Sequence, residues 1–102
     1  MAILITAASY SLAYKLERSL HESDVLFADQ IEMPFIPGKK FIRIPEASSQ
    51  IFTSEILKIC LDKHIVNIYP LKEAEFKELS KSEQLFNEYG IIIIIPSNEW
   101  IV

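Results

Sequence analysis

Three segments of this chain are apolar at every position: Ala2-Ile3-Leu4-Ile5, Val25-Leu26-Phe27-Ala28, and five consecutive isoleucines at 91–95. A strand with one face in water alternates apolar and polar residues. A strand without alternation must be covered on both faces, which points to a parallel sheet between layers of helix. The isoleucine run is five residues, far short of the roughly 20 needed to cross a bilayer. It therefore belongs to a buried strand, and no membrane partner is expected.

The segments between these runs supply the helices. Leu12, Leu16 and Leu20 recur every fourth residue, with Ala13 beside them and Lys15, Arg18 and Glu22 on another face. This spacing predicts an amphipathic helix over residues 10–21, capped by Ser9 and broken at Ser23-Asp24. Pro34, Pro37 and Gly38 make residues 30–38 an irregular loop. Residues 41–44 read as a short strand stopped by Pro45, with Arg43 suiting a sheet edge. Ser48 or Ser49 caps a second helix whose stripe is Phe52, Ile56, Ile59 and Cys60, running to about Leu61. Residues 65–69 form a fourth strand ending at Pro70. Residues 72–79 are helical. Ser80-Lys81-Ser82-Glu83 has capping-box spacing for a further helix that ends at Gly90. Residues 91–95 are the fifth strand, and residues 98–102 begin a helix.

Strands alternating with helices in this way predict a single α/β domain over residues 1–102. It is a Rossmann-like three-layer fold with a five-stranded, mainly parallel sheet in the order 3-2-1-4-5. Half the residues are hydrophobic, enough to pack such a core.

Charge and cysteine use narrow the function classes. A formal net charge of −4 with scattered basic residues argues against a nucleic-acid surface. One cysteine, Cys60, rules out an internal disulfide and a Cys-based zinc site, and reads as a buried structural thiol. The opening has no basic n-region, so a cytoplasmic protein is expected. His21 and His64 have no partner at catalytic or metal spacing and read as surface or capping residues. No metal site and no catalytic residue is assigned.

In a sheet of this order, ligands gather at the carboxyl ends of the strands, where the order reverses between strands one and four. The residues placed there are Thr6 to Ser11 after the first strand, Asp29 to Gln30 after the second, and Pro70 to Glu75 after the fourth; the candidates among them are Thr6, Ala7, Ala8, Ser9, Asp29, Glu73 and Glu75. A dinucleotide site needs glycines in the first loop so that its backbone can approach the pyrophosphate; Thr6-Ala7-Ala8-Ser9-Tyr10-Ser11 has none. Asp29 falls where an acid would meet a ribose, or is a solvated strand end beside a Ser9 helix cap. Glu73 and Glu75 favour a helix N-terminus. They would converge on a cation or amine only if one of them stayed in the turn, because residues two apart do not share a helical face. Lys39 and Lys40 meet a phosphate or guard a sheet edge.

The wording of several segments resembles the domain that precedes the catalytic module in ATP-grasp proteins, with the carbamoyl-phosphate synthase large-subunit-like group closest. The similarity is carried by residues 1–20, by Val25-Leu26-Phe27-Ala28-Asp29, by Phe41-Ile42-Arg43-Ile44-Pro45, and by the stretch from Ile56 to Pro70. Ala7 stands at the glycine of a Thr-Gly-Ala-like loop, and Ala74 at the middle acid of an acidic turn flanked by Glu73 and Glu75. The resemblance implies the substrate-side domain of an ATP-dependent carboxylate ligase, inactive alone. ATP and magnesium would be held by a downstream ATP-grasp domain, this chain itself binding no cofactor. The partners implied are that catalytic domain and a small carboxylate or amine. Ile95, Trp100 and Ile101 would form the docking patch. Two alternatives stand beside it: an interaction or regulatory module that pairs as a homodimer through an edge strand or the same patch, and a degenerate dinucleotide-binding Rossmann domain.

Overall fold

A computed structural model describes residues 2–21 and 24–102. The expected break at Ser23 and the polar-face position of Glu22 lie outside the described residues. Strand β1 (Ala2–Ile5) leads into helix α1 (Ser11–Leu20) and strand β2 (Val25–Asp29). Then come β3 (Lys40–Arg43), α2 (Phe52–Lys63), β4 (Ile65–Tyr69), α3 (Glu73–Ser80), α4 (Glu83–Glu88) and β5 (Ile92–Ile93), with a last 3-10 turn at Asn98–Trp100. The sheet order is β3-β2-β1-β4-β5, and every neighbouring pair is parallel.

The unalternated runs do what two-sided burial requires. Ala2, Leu4, Leu26, Ala28, Ile65 and Ile68 pack with Phe52, Ile56, Ile59 and Cys60 of α2, Leu79 of α3 and Phe86 of α4. The intervening residues, Ile3, Ile5, Val25 and Phe27, turn to the other face against Ala13 and Leu16 of α1. Strand period two thus splits one apolar run between two cores, and each large side chain fully buried there contributes about 1.5–3 kcal/mol. Trp100 and Val102 lie against the α1-side core. No described helix is long and apolar enough to cross a membrane.

Several local expectations shift. The N-cap of α1 is Tyr10 rather than Ser9, and no side chain caps the helix. The N-cap of α2 is Ile51; Ser49 instead accepts the Ile51 amide at 3.3 Å through its hydroxyl. The capping box at residues 80–83 does not form, because the Ser80 hydroxyl donates back to the Phe76 carbonyl at 2.6 Å. Local serine-to-backbone bonds of this kind compete with capping. The fifth strand pairs over only Ile92 and Ile93. His21 and His64 both close helices in the left-handed region, at φ 55° and 57°.

Candidate functional site

The reversal of strand order falls between β1 and β4, and the chain leaving β1 bridges it. The Thr6 amide donates to the Tyr69 carbonyl at the end of β4 (3.1 Å), whereas the Ala8 amide donates to Ala28 in β2 (3.1 Å). One residue between them must reverse the chain, and that residue is Ala7, at φ 57°. Only glycine visits this region without steric strain. The turn closes with the Tyr10 amide on the Ala7 carbonyl at 2.9 Å.

The next amide, Ser9, donates to Asp29 Oδ2 at 2.8 Å. The other Asp29 oxygen accepts from Gln30 at 2.7 Å and, more weakly, from Ile31 at 3.4 Å. Asp29 is 3% exposed, so it is not a solvated strand end. Burial pushes its carboxyl up, but the hydrogen bonds from Ser9, Ile31 and Gln30 outweigh this and hold it below the ordinary aspartate value; they bind the ionised form. The amides of Thr6, Ala8, Ser9 and Tyr10 are therefore all engaged inside the protein.

The β4 side is closed in the same way. The Thr6 hydroxyl accepts the Leu71 amide at 2.8 Å, and the Leu71 carbonyl accepts the Val102 amide at 3.0 Å. The Tyr14 hydroxyl donates to the Ala8 carbonyl at 2.6 Å. The ammonium of Lys72 sits 5.7 Å from the centre of the Tyr10 ring.

Both glutamates lie in the first turn of α3 and point apart. Glu73 is exposed and pairs with Lys77 at 2.6 Å; that hydrogen bond and charge hold its carboxyl below the ordinary value. It does not reach the crevice, and the convergence of the two acids does not occur. Glu75 is 1% exposed, and neither of its oxygens has a hydrogen-bond partner. Burial pushes its carboxyl above the ordinary glutamate value, and the Asp29 charge pushes the same way, against the Thr6 hydroxyl and the Lys72 amide and ammonium.

Of the residues placed at the crevice from the sequence, Thr6, Ala7, Ala8, Ser9, Asp29 and Glu75 meet there. Tyr10, Leu71 and Lys72 lie in the stretches placed at the crevice and Tyr14 lies outside them, but the contacts all four make have no local signature; Thr6 and Leu71 are 65 residues apart. Ile95 is 46% exposed, Ile101 is half-buried, and Trp100 lies on this chain's own core. Cys60 is buried, and burial pushes its thiol up to about 12, which leaves it without a reactive thiolate. Among the described residues, no three His, Cys, Asp or Glu side chains converge as a metal set would.

No protein-family model matches the chain, and no curated protein matches it in sequence. Solved structures do. A GalE-like L-threonine dehydrogenase from Cupriavidus necator, in its holo form, is similar over 95% of this chain with a TM-score of 0.66 and 17% identity. A partial-consensus L-threonine 3-dehydrogenase is similar over 95% with a TM-score of 0.64 and 19% identity. The chain spans 37% and 36% of their lengths. These matches correct the resemblance to ATP-grasp proteins and, with it, the ligase and carbamoyl-phosphate synthase-like reading. The segment wording behind that resemblance specifies a sheet order that unrelated families share. At this level of identity the likeness is one of fold, and the fold of this chain is Rossmann-like, as in those dehydrogenases.

Proposed function

We propose that the chain is a degenerate dinucleotide-binding Rossmann domain: it keeps the sheet and the acid at the end of β2, and its phosphate loop is closed on itself. The observation that carries this reading is the Asp29 carboxylate seated on the Ser9 amide at 2.8 Å. A pyrophosphate is held by free amides at the start of the first helix and by glycines that let it approach. Here a carboxylate takes the amide, Ala7 and Ala8 are both buried side chains, and Tyr10 opens the helix. A second acid, Glu75, lies close enough for Asp29 to act on it. The residues do not fit a dinucleotide, and no hydride-transfer step is assigned to them. The domain then serves as a packed scaffold or interaction module whose switch point is filled by its own side chains.

The test is a titration with NAD(H) and NADP(H), followed by nucleotide fluorescence and by thermal unfolding. Neither should change saturably up to about 1 mM nucleotide. A dissociation constant near 10 µM would stabilise the fold by about 2.7 kcal/mol at that concentration and raise the Tm by about 10 °C or more. Such a rise would sink the reading.

A further inference from the structure

We propose that Glu75 is a proton-binding site built into the closure of the switch point: it is held in the folded chain as a neutral acid, and its ionisation releases the first turn of α3, with residues 98–102, from the β1–α1 loop. The Glu75 carboxyl group is 1% exposed, and neither of its oxygens has a partner at hydrogen-bond geometry. A buried carboxylate without hydrogen bonds is among the least favourable arrangements in a protein, and the group either keeps its proton or leaves the interior.

The groups around it divide: burial and the Asp29 charge oppose its ionisation and outweigh the Thr6 hydroxyl and the Lys72 amide and ammonium, which favour it. Asp29, at the end of β2, is held ionised by its amides and opposes a second negative charge. Lys72 is the cation that acts on Glu75, but its ammonium is placed over the Tyr10 ring. Tyr14 from α1 donates its hydroxyl to Ala8. Glu73 and Lys77, on α3 itself, pair with each other on the exposed side. An ion pair between Glu75 and Lys72 therefore requires the turn to move.

Leu71, two residues before that turn, is the junction between two parts of the fold. Leu71 donates to Thr6 on one side and accepts from Val102 on the other, and Leu71, Trp100 and Val102 share the α1-side core. Displacing the turn breaks the first bond and carries the second. Raising the pH takes one proton from Glu75 to solvent and opens the crevice; lowering it closes the crevice. Trp100 is the only tryptophan, so its fluorescence reports the motion.

The experiment follows the full chain from about pH 5 to about pH 9, with Glu75 labelled at its carboxyl carbon for NMR and Trp100 emission recorded in parallel. The carboxyl resonance should titrate with a midpoint above the ordinary glutamate value of 4.5. Trp100 emission should shift to the red with the same midpoint, and the Leu71 and Val102 amides should exchange faster above it. Glu75→Gln should hold the low-pH emission and slow exchange throughout. A Glu75 resonance titrating at the ordinary value, or a transition that survives in Glu75→Gln, overturns the proposal. If Glu75→Gln does not fold, the resonance and emission of the unaltered chain decide alone: coincident raised midpoints support it, and anything else rejects it.

Discussion

At the residue scale, two adjacent alanines show how much of this loop is set by backbone geometry. Ala7 and Ala8 are both fully buried, but only Ala7 has a positive φ, at 57°. Replacing Ala8 by glycine loses a buried methyl, about 0.8 kcal/mol, and adds unfolded-state freedom of about 0.4–1 kcal/mol. Replacing Ala7 by glycine carries the same losses but relieves left-handed strain of about 1–2 kcal/mol. Ala8→Gly should therefore destabilise the chain by about 1–2 kcal/mol, while Ala7→Gly stays within about 0.5 kcal/mol of the parent. Urea unfolding of both variants checks this. Equal losses would mean that Ala7 is not strained. The absence of glycine at this position is plain in the sequence; that the chain takes the glycine conformation anyway is a property of the folded loop.

At the scale of elements, helix ends were legible where one residue decides them and illegible where side chains had a choice. Gly90 was read as the stop of α4, and it is, at φ 76°. The Ile91 amide reaches the Phe86 carbonyl and the Gly90 amide the Asn87 carbonyl, both at 3.0 Å, and Ile91 and Phe86 pack together in the α2-side core. This pair of bonds with its apolar contact is a Schellman closure. A Cβ at Gly90 would meet nothing within 4 Å, so Gly90→Ala should cost only the backbone penalty, about 1–2 kcal/mol. Thermal unfolding measures it, and an unchanged Tm would show that the closure does not set the helix end. The serine caps at positions 9, 49 and 80 were misplaced for the converse reason. A hydroxyl chooses among several nearby backbone groups, and the packing of the element makes that choice.

At the scale of the whole molecule, two buried acids set opposite limits on stability. Asp29 is depressed from an ordinary value of 3.8. Its contribution is present above that pH and is lost as pH falls through its folded value. Glu75 is raised from 4.5. Its contribution is complete below that pH and is lost as pH rises toward its folded value. Through these two groups, stability should peak where both contributions are present, between the ordinary values of 3.8 and 4.5, and decline on either side. Asp29→Asn should flatten the acid limb and cost about 2 kcal/mol at the peak, the worth of hydrogen bonds to a charged group. Urea midpoints across pH decide this, and an acid limb unchanged in Asp29→Asn would reject the assignment.

The chain's own order of apolar runs and breaks was enough to determine the layers, the five strands and the 3-2-1-4-5 order, because two-sided burial and strand-helix alternation leave few other arrangements. It also singled out Thr6, Ala7, Asp29 and Glu75 as residues at the switch point. What it left open, or read wrongly, was their state: Asp29 buried rather than solvated, Glu73 turned to solvent, and Glu75 enclosed without a partner. The surroundings of Asp29 and Glu75, unlike the local Glu73–Lys77 pair, depend on contacts between residues 20 to 65 positions apart. They are decided by how the folded elements enclose each carboxyl group, a property that no local pattern of residues encodes.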